Sequence, residues 1–462
     1  MNFDSTLIPL YKDHLIELQK KISKILDELK MDSILIHSGQ ERIKYLDDSA
    51  YPFVANPMFV YFVPLTHLPN SFIYMEKGMR PTLYYYKKIS YWFKMPEDPA
   101  DFLYQYFDIK IIDEDSKMLS DLGDSKIRNT IYIGEYPEIA KNSTVNANFK
   151  ACNPDDLITE IHYIRTFKSN YEQECIRRAN KIAVSAHQRC AELFQEGKYS
   201  ELDLHLEYLR SVGCSPIRMP FENIVAFNEN AATLHYIDYN HTRPPLAASS
   251  AAKQNIYSML LDAGAAYNGY AADITRTYSF NNSDDNSDFK ALIDAVNEMQ
   301  LNIIHSFTLN SRYTDHHQQA HIGIAQILID FKMLKNISAE DAVTKKISNV
   351  FFPHGLGHFL GIQVHDVGGQ LKNGKEKYKL PDDHPYLRYL TELRPGHVFT
   401  VEPGLYFIDS LLDDLKKSEE NNKYVDWNTV DKFRKFGGIR IEDDIIIKED
   451  GQFENITRKL LP

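Results

Sequence analysis

The sequence predicts an α+β protein of two domains, a small α/β domain followed by a larger one, and three observations carry that expectation. The chain has 462 residues, which at roughly 150 residues per domain suits two or three domains with a substantial core. Leu10, Leu15, Leu18, Ile22, Ile25, Leu26 and Leu29 recur at helical spacing just before Ile34-Leu35-Ile36, an amphipathic helix feeding a buried strand. Near Asn153-Pro154-Asp155-Asp156 a Tyr-, Phe- and Val-rich strand pattern gives way to long helices. The domains are accordingly expected at 1–160 and 161–462, with the change between 155 and 165.

Within the first domain, residues 51–112 contain short β-prone runs, Phe59-Val-Tyr-Phe-Val63 and Thr82-Leu-Tyr-Tyr-Tyr86, separated by Pro- and Gly-containing turns, and these read as strands. The second domain opens with a helix whose ends are legible. Ser169 and Glu172 form a capping-box pair, Ile176, Ala179, Ala183, Ala186 and Cys190 make one face, and Gly197 stops it. Another helix is expected from Ser200 to Gly213, with further helices over 288–306 and 314–331 and strands around 256–280, 397–408 and 437–448. Asn281 to Ser287 and the acidic, Lys-rich stretch Asp413 to Asn422 read as surface loops. There is no internal repeat.

Composition narrows the function classes. Hydrophobic residues are 43% and charged residues 25%, the balance of a folded globular chain. Lys plus Arg total 52 against 64 Asp plus Glu, a net charge of −12 that repels phosphate backbones and anionic lipid, so no nucleic-acid or membrane partner is expected. Cys152, Cys175, Cys190 and Cys214 match no zinc or redox spacing. The N-terminus lacks a basic signal region and no apolar run reaches about 18 residues, so a reducing cytoplasm is the expected setting.

Chemistry-bearing residues then fall into a pattern. In Leu261-Asp-Ala-Gly-Ala-Ala-Tyr-Asn-Gly-Tyr-Ala-Ala-Asp-Ile-Thr275, Asn268-Gly269 is the strongest short signal for a type I′ hairpin. Counting outward, Tyr267 faces Tyr270, Gly264 faces Asp273 and Asp262 faces Thr275. Asp262 and Asp273 thus become diagonal neighbours on one face, with Gly264 leaving space between them, a spacing suited to two cations or, more plainly, to two solvated strand carboxylates. His354, His358 and His365 lie within twelve positions broken by Gly355, Gly357 and Gly361, which disfavour a regular helix and imply backbone packed closely against something. Glu402 and Glu442 sit in apolar strands where ionised groups need partners. Alternation puts Arg440 beside Glu442 on one face, so a structural ion pair between them is the plainer reading. Together, Asp262, Asp273, Glu402 and Glu442 offer four negative charges to two divalent cations, with an imidazole added; hard oxygen donors point to Mn²⁺, Co²⁺ or Zn²⁺.

The order Asp, Asp eleven residues on, then His, Glu and Glu resembles the metal-dependent peptidases of the pita-bread fold, and in particular the bacterial Xaa-Pro dipeptidase (prolidase) subgroup. The flanking phrases fit as well: Asn223-Ile-Val-Ala, Asn228-Glu-Asn-Ala-Ala, Leu234-His-Tyr236, Val364-His-Asp-Val-Gly368 and Phe436-Gly-Gly-Ile-Arg-Ile-Glu-Asp443. So do the N-terminal phrases Leu10-Tyr-Lys, Ile36-His-Ser-Gly39, Leu46-Asp-Asp48 and Tyr51-Pro-Phe53. The resemblance implies a creatinase-like α/β N-terminal domain followed by a pita-bread catalytic domain. It implies Asp262, Asp273, His358, Glu402 and Glu442 as ligands of two divalent ions, Mn²⁺ first and Co²⁺ or Zn²⁺ as alternatives, with Asp273 and Glu442 bridging. Glu402, His365, His354 and His235 are then catalytic or close to the reacting atoms, and Arg388 and Arg440 meet the substrate. Thr391 departs from the pattern, standing where a second basic residue follows Arg388. The implied activity is hydrolysis of dipeptides ending in proline by a hydroxide bridging two metals. Phosphotriester hydrolysis of the organophosphorus acid anhydrolase type and a metal-free scaffold of the same fold are the alternatives. The subgroup implies a homodimer, with Asp47-Asp48 as a contact.

Overall fold

The computed structural model describes residues 3–136, 149–243, 256–280 and 286–461. The chain divides into two compact units, Met1–Cys175 with Asn373–Lys375, and Ile176–Lys372 with Glu376–Pro462.

The first unit runs α1 (Ile8–Glu28), β1 (Ser33–His37), α2 (Pro57–Val60), β2 (Phe72–Glu76), β3 (Thr82–Tyr86), β4 (Asp108–Ile112), α3 (Asp115–Asn129), β5 (Thr130–Ile133), β6 (Ala151–Cys152) and α4 (Asp155–Arg165). Its six strands form one mixed sheet in the order β4-β3-β2-β1-β5-β6. The periodicity of α1 is repaid in burial, since Leu15, Leu18, Ile22, Ile25 and Leu26 are all in the core. One expected strand is overturned. The run Phe59 to Val63 begins in α2, because the Asn56 side chain accepts from the Met58 N–H and Pro57 stands at the first helical position, where its missing donor costs nothing.

The second unit holds α5 (Asn170–Gln195), which begins in the first, then α6 (Glu201–Val212), β7 (Ile224–Phe227), β8 (Ser258–Asp262), β9 (Ala266–Tyr267), β10 (Tyr270–Ala271), β11 (Thr275–Ser279), α7 (Ser287–His305), α8 (Tyr313–Asp330), α9 (Ala339–Thr344), α10 (Ile347–Phe351), β12 (Val398–Val401), β13 (Gly404–Tyr406), α11 (Asp409–Lys417), α12 (Trp427–Arg434), β14 (Gly438–Arg440), β15 (Asp443–Ile447) and β16 (Phe453–Asn455). The caps lie where the residue types put them. Glu172 accepts from the Ser169 N–H at 2.8 Å, Ser200 and Asp203 complete a capping box, and Gly213 closes α6 in the left-handed region. Two surface-loop expectations fare differently. Asp413 to Lys417 lie in α11, an amphipathic helix that buries Leu412 and Leu415, while 281–285 lie outside the described residues.

Small sheets, β11-β8-β7, β12-β15-β16, β13-β14 and β9-β10, carry the site-bearing backbone. The hairpin has the register that counting from its turn requires: Tyr270 pairs with Tyr267 and Thr275 with Asp262. Asn268 and Gly269 both adopt positive φ, 51° and 89°, as a type I′ turn demands. Gly264 plays another part than leaving room between the carboxylates. A Cβ there would lie 2.0 Å from the Ala272 carbonyl oxygen and 2.8 Å from the Phe221 ring, so glycine lets two backbones and a ring close up. Among the described residues no helix is long and apolar enough to cross a membrane. Gly264→Ala is expected to lower unfolding stability by at least about 2 kcal/mol through overpacking, read as a lower urea midpoint.

Candidate metal centre

Three backbone segments deliver the candidate ligands. Strand β8 ends on Asp262, and Asp273 stands just before β11 on the other arm of the hairpin. The glycine-broken segment around His358 runs antiparallel to β12: the Leu360 N–H donates to the Val398 carbonyl, Thr400 N–H to His358, and Glu402 N–H to Leu356, at 2.8–2.9 Å. Gly357 makes that approach feasible, since a Cβ there would lie 2.1 Å from the Thr400 carbonyl oxygen. An isolated bridge then joins Thr275 to Glu442, between β14 and β15.

The side chains meet. His358 Nε2 lies 3.4 Å from both Asp273 Oδ2 and Glu402 Oε1. Ligand atoms of Asp273, His358 and Glu442 lie within 4.8 Å of one another. Asp262, Asp273, His358 and Glu442 are all nearly inaccessible. His358 Nδ1 is 2.9 Å from the Phe359 carbonyl, which can only accept, so Nδ1 carries the hydrogen and Nε2 turns a lone pair toward the carboxylates.

That arrangement demands compensation. Two like charges about 4 Å apart at an effective dielectric of about 20 repel by about 4 kcal/mol, a large part of a stability of about 5–15 kcal/mol. Without cations, protons must answer. Burial, reinforced by Asp262, pushes Asp273 well above the usual carboxylate range, and burial with the neighbouring carboxylates does the same to Glu442. Burial pushes Glu402 up to about 7. Asp262 Oδ1 and Asp273 Oδ1 are buried with no hydrogen-bond partner. Orphaned acceptor oxygens, four carboxylates and a presented imidazole lone pair fit a pair of hard divalent cations.

Surrounding groups fix this set. Thr275 donates its hydroxyl to Glu442 Oε2 at 2.7 Å, Thr400 reaches Glu402 at 3.4 Å, and the Asp273 N–H donates to Asp444 at 3.1 Å. Arg440 is buried and its donors are already engaged, with Asp262 at 2.6 Å, Tyr406 at 2.8 Å and Thr275 at 3.3 Å. It therefore does not pair with Glu442, as alternation suggests, and orients Asp262. Tyr406 in turn lies 2.9 Å from His354 Nε2, while His354 Nδ1 meets the Gly355 carbonyl at 2.8 Å. Since that carbonyl takes the Nδ1 hydrogen, Nε2 accepts from the tyrosine, and burial beside Arg440 depresses His354 to about 3, keeping it neutral.

A cleft of about 920 Å³ is lined by Asp262, Asp273, His358, Glu402 and Glu442, with His354 and Arg440, and also by His235, His365 and Arg388. His365 stands edge-on to His358, with ring centroids 4.3 Å apart. Arg388 is exposed and forms no ion pair among the described residues. Thr391 is buried and its carbonyl accepts from Tyr313 N–H, so it serves packing. Sequence reasoning missed Thr275, Thr400, Tyr406 and Asp444. Thr275 was within reach, being the register partner of Asp262; Tyr406 offered no signal, because a tyrosine in an apolar strand looks like core.

Comparisons with known proteins identify what the chain is similar to. Residues 9–163 match the model of the Xaa-Pro dipeptidase N-terminal domain, and residues 174–449 that of metallopeptidase family M24. The chain is 41% identical over 455 residues to a Xaa-Pro dipeptidase of Pseudoalteromonas atlantica, covering 98% of this chain and 99% of that one. It is 41% identical over 458 residues to that of Colwellia psychrerythraea, covering 99% and 98%. In fold it is similar to zinc-substituted Escherichia coli aminopeptidase P in complex with product, with a TM-score of 0.68 and 23% identity over 96% of this chain and 95% of that one. The aminopeptidase PepP of Pseudomonas aeruginosa gives a TM-score of 0.70 at 20% identity, over 96% and 95%.

A buried acid with a raised folded pKa holds a proton that the unfolded chain has released, so stability falls as pH rises through that interval. For Glu402 the interval runs from 4.5 to about 7. Metal-free protein is accordingly expected to lose melting temperature steadily between about pH 4.5 and about pH 7, and added divalent cation to remove most of that slope; differential scanning calorimetry with and without metal checks both.

Proposed function

The chain belongs to metallopeptidase family M24, and from that membership together with the N-terminal match we propose that it is a metal-dependent Xaa-Pro dipeptidase, cleaving dipeptides whose second residue is proline. The observation that carries this reading is the meeting of Asp262, Asp273, His358, Glu402 and Glu442 in one cleft that also presents Arg388.

Asp262, Asp273, His358, Glu402 and Glu442 would hold two divalent cations, with Asp273 and Glu442 shared and Mn²⁺ as the native metal. Bound there, the cations supply Lewis acidity, activating water near neutral pH and polarising the scissile carbonyl. The chain's own residues do the rest. Arg388 takes the free prolyl carboxylate in a charge-assisted pair. His365 donates an N–H to the carbonyl oxygen as negative charge develops there, and His235 contacts the substrate from the same cleft. Glu402 carries a proton to the prolyl nitrogen, which must be protonated to leave. His354 stays neutral, locks Tyr406, and through Tyr406 and Arg440 holds Asp262 in place.

A charge requirement at the C-terminal carboxylate restricts length, since a residue beyond proline removes that carboxylate from reach of Arg388. We infer a homodimer in the cytoplasm. Tyr45 and Leu46, flanking Asp47-Asp48, and Tyr91, Trp92 and Phe93 are each at least 70% exposed, more apolar surface than a lone subunit comfortably shows. The described cysteines form no disulfide, in keeping with a reducing compartment.

Turnover of Leu-Pro should far exceed that of a phosphotriester or of a Leu-Pro-Xaa tripeptide; a preference for either rival overturns the assignment. Arg388→Ala is expected to raise KM for Leu-Pro at least about tenfold, the worth of one charge-assisted contact, with bound metal unchanged by elemental analysis. Asp262→Asn should lose at least one metal per chain and most of kcat, both read on the same preparation.

A further inference from the structure

Outside the carboxylate centre, the second unit buries another group of ring nitrogens. His317 and His321 lie four residues apart on one face of α8, the spacing that aims two imidazoles at one point, and His384 reaches them from the irregular segment before β12. One ligand nitrogen from each lies within 4.8 Å of the others. His317 Nε2 and His384 Nδ1 share a hydrogen bond at 3.0 Å, a little shorter than the separation of about 3.4 Å that two nitrogens take about 2.1 Å from one tetrahedral ion, so an ion would replace the shared proton with a small opening of the pair.

Hydrogen bonding within the group leaves it incomplete. His317 and His321 are 2% and 0% exposed, yet His321 Nε2 has no hydrogen-bond partner among the described residues. The other nitrogen of His321, Nδ1, is held by the Ser348 hydroxyl of α10 at 3.0 Å, the kind of outer contact that fixes a ligating imidazole. Burial depresses all three imidazoles, with repulsion from neighbouring histidines adding at His317 and His321 and Lys346 adding at His384; His321 falls to about 3, and neutral rings, each with a lone pair, prevail at neutral pH. His384 is the least buried of the three.

We propose that His317, His321 and His384 form a second, mononuclear metal site for Zn²⁺, distinct from the dinuclear carboxylate centre. The ion takes His317 Nε2, His384 Nδ1 and the His321 nitrogen not held by Ser348, leaving a fourth position for water. Three imidazoles and no carboxylate favour Zn²⁺ over Mn²⁺, whereas four carboxylates suit harder ions, so the two sites sort different metals. The consequence reaches the cleft. Pro385, Tyr386, Leu387 and Arg388 follow His384 directly and line the cleft, so an ion clamping His384 to α8 pins the segment that presents Arg388.

The test is metal counting on the Mn²⁺-loaded enzyme. After incubation with two equivalents of Zn²⁺ and desalting, wild type is expected to retain about one Zn²⁺ per chain by elemental analysis with its Mn²⁺ content unchanged, and H384F to retain none. Ser348→Ala keeps every imidazole and should weaken Zn²⁺ binding at least about tenfold by competition with a chromogenic chelator, which serves also if H384F fails to fold. The site is overturned if wild type gains no zinc, if each zinc gained expels one manganese, or if H384F or Ser348→Ala holds zinc as wild type does. None of these outcomes depends on the peptidase reaction, so the site stands or falls apart from the substrate assignment.

Discussion

Four carboxylates gathered in one cleft, with Asp262, Asp273 and Glu442 nearly inaccessible, are the constraint on which the catalytic unit depends. Ionised together, they repel by an amount comparable with the net stability of a folded domain. Some nearby side chains offset that repulsion: Arg440 neutralises Asp262, and Thr275 and Thr400 donate to Glu442 and Glu402. His358, which faces two carboxylates with a lone pair rather than a proton, does not. Such a set is poorly satisfied without added positive charge, and two divalent cations cancel its formal charge. Metal affinity and metal-linked stability therefore share one origin.

The strands make this concentration of charge structurally affordable. Asp262 and Asp273 come from one hairpin whose register is locked by its turn, while His358 and Glu402 come from two segments held by three backbone hydrogen bonds. Glu442 joins through a bridge to Thr275, the same residue whose hydroxyl satisfies it. Asp262, His358, Glu402 and Glu442 thus stand on paired backbone, while the N–H of Asp273 is held by the Asp444 carboxylate, so the backbone carrying the candidate ligands is fixed on every side.

How much of this was legible follows the range of the interactions involved. Local chemistry read well: the helices capped at Ser169 and Ser200, and the hairpin centred on Asn268-Gly269, have the expected ends and pairing because caps and tight turns are decided within a few residues. The run Phe59 to Val63 misled because β-propensity was overruled by an Asn56-Pro57 helix start, and Asp413 to Lys417 because its charges conceal two buried leucines. Identities of the candidate ligands were visible as carboxylates in apolar strands; their supports were not. That Arg440 would choose Asp262 over Glu442, two residues away, is a matter of which strand lies opposite, and alternation along one strand carries no such information.

Gly264 shows how the hairpin also shapes recognition. Proline as the second residue leaves a scissile nitrogen without a hydrogen, so no strand-like hydrogen bond can be made there and the ring must be read by shape. Phe221 lines the cleft, and the absence of a side chain at Gly264 lets that ring pack against the hairpin that carries Asp262 and Asp273. The same missing Cβ admits the Ala272 carbonyl, closing the two arms of that hairpin. One glycine therefore lets the arms and an aromatic wall of the cleft close on the same few atoms, and any side chain there would press on the Ala272 carbonyl and the Phe221 ring at once.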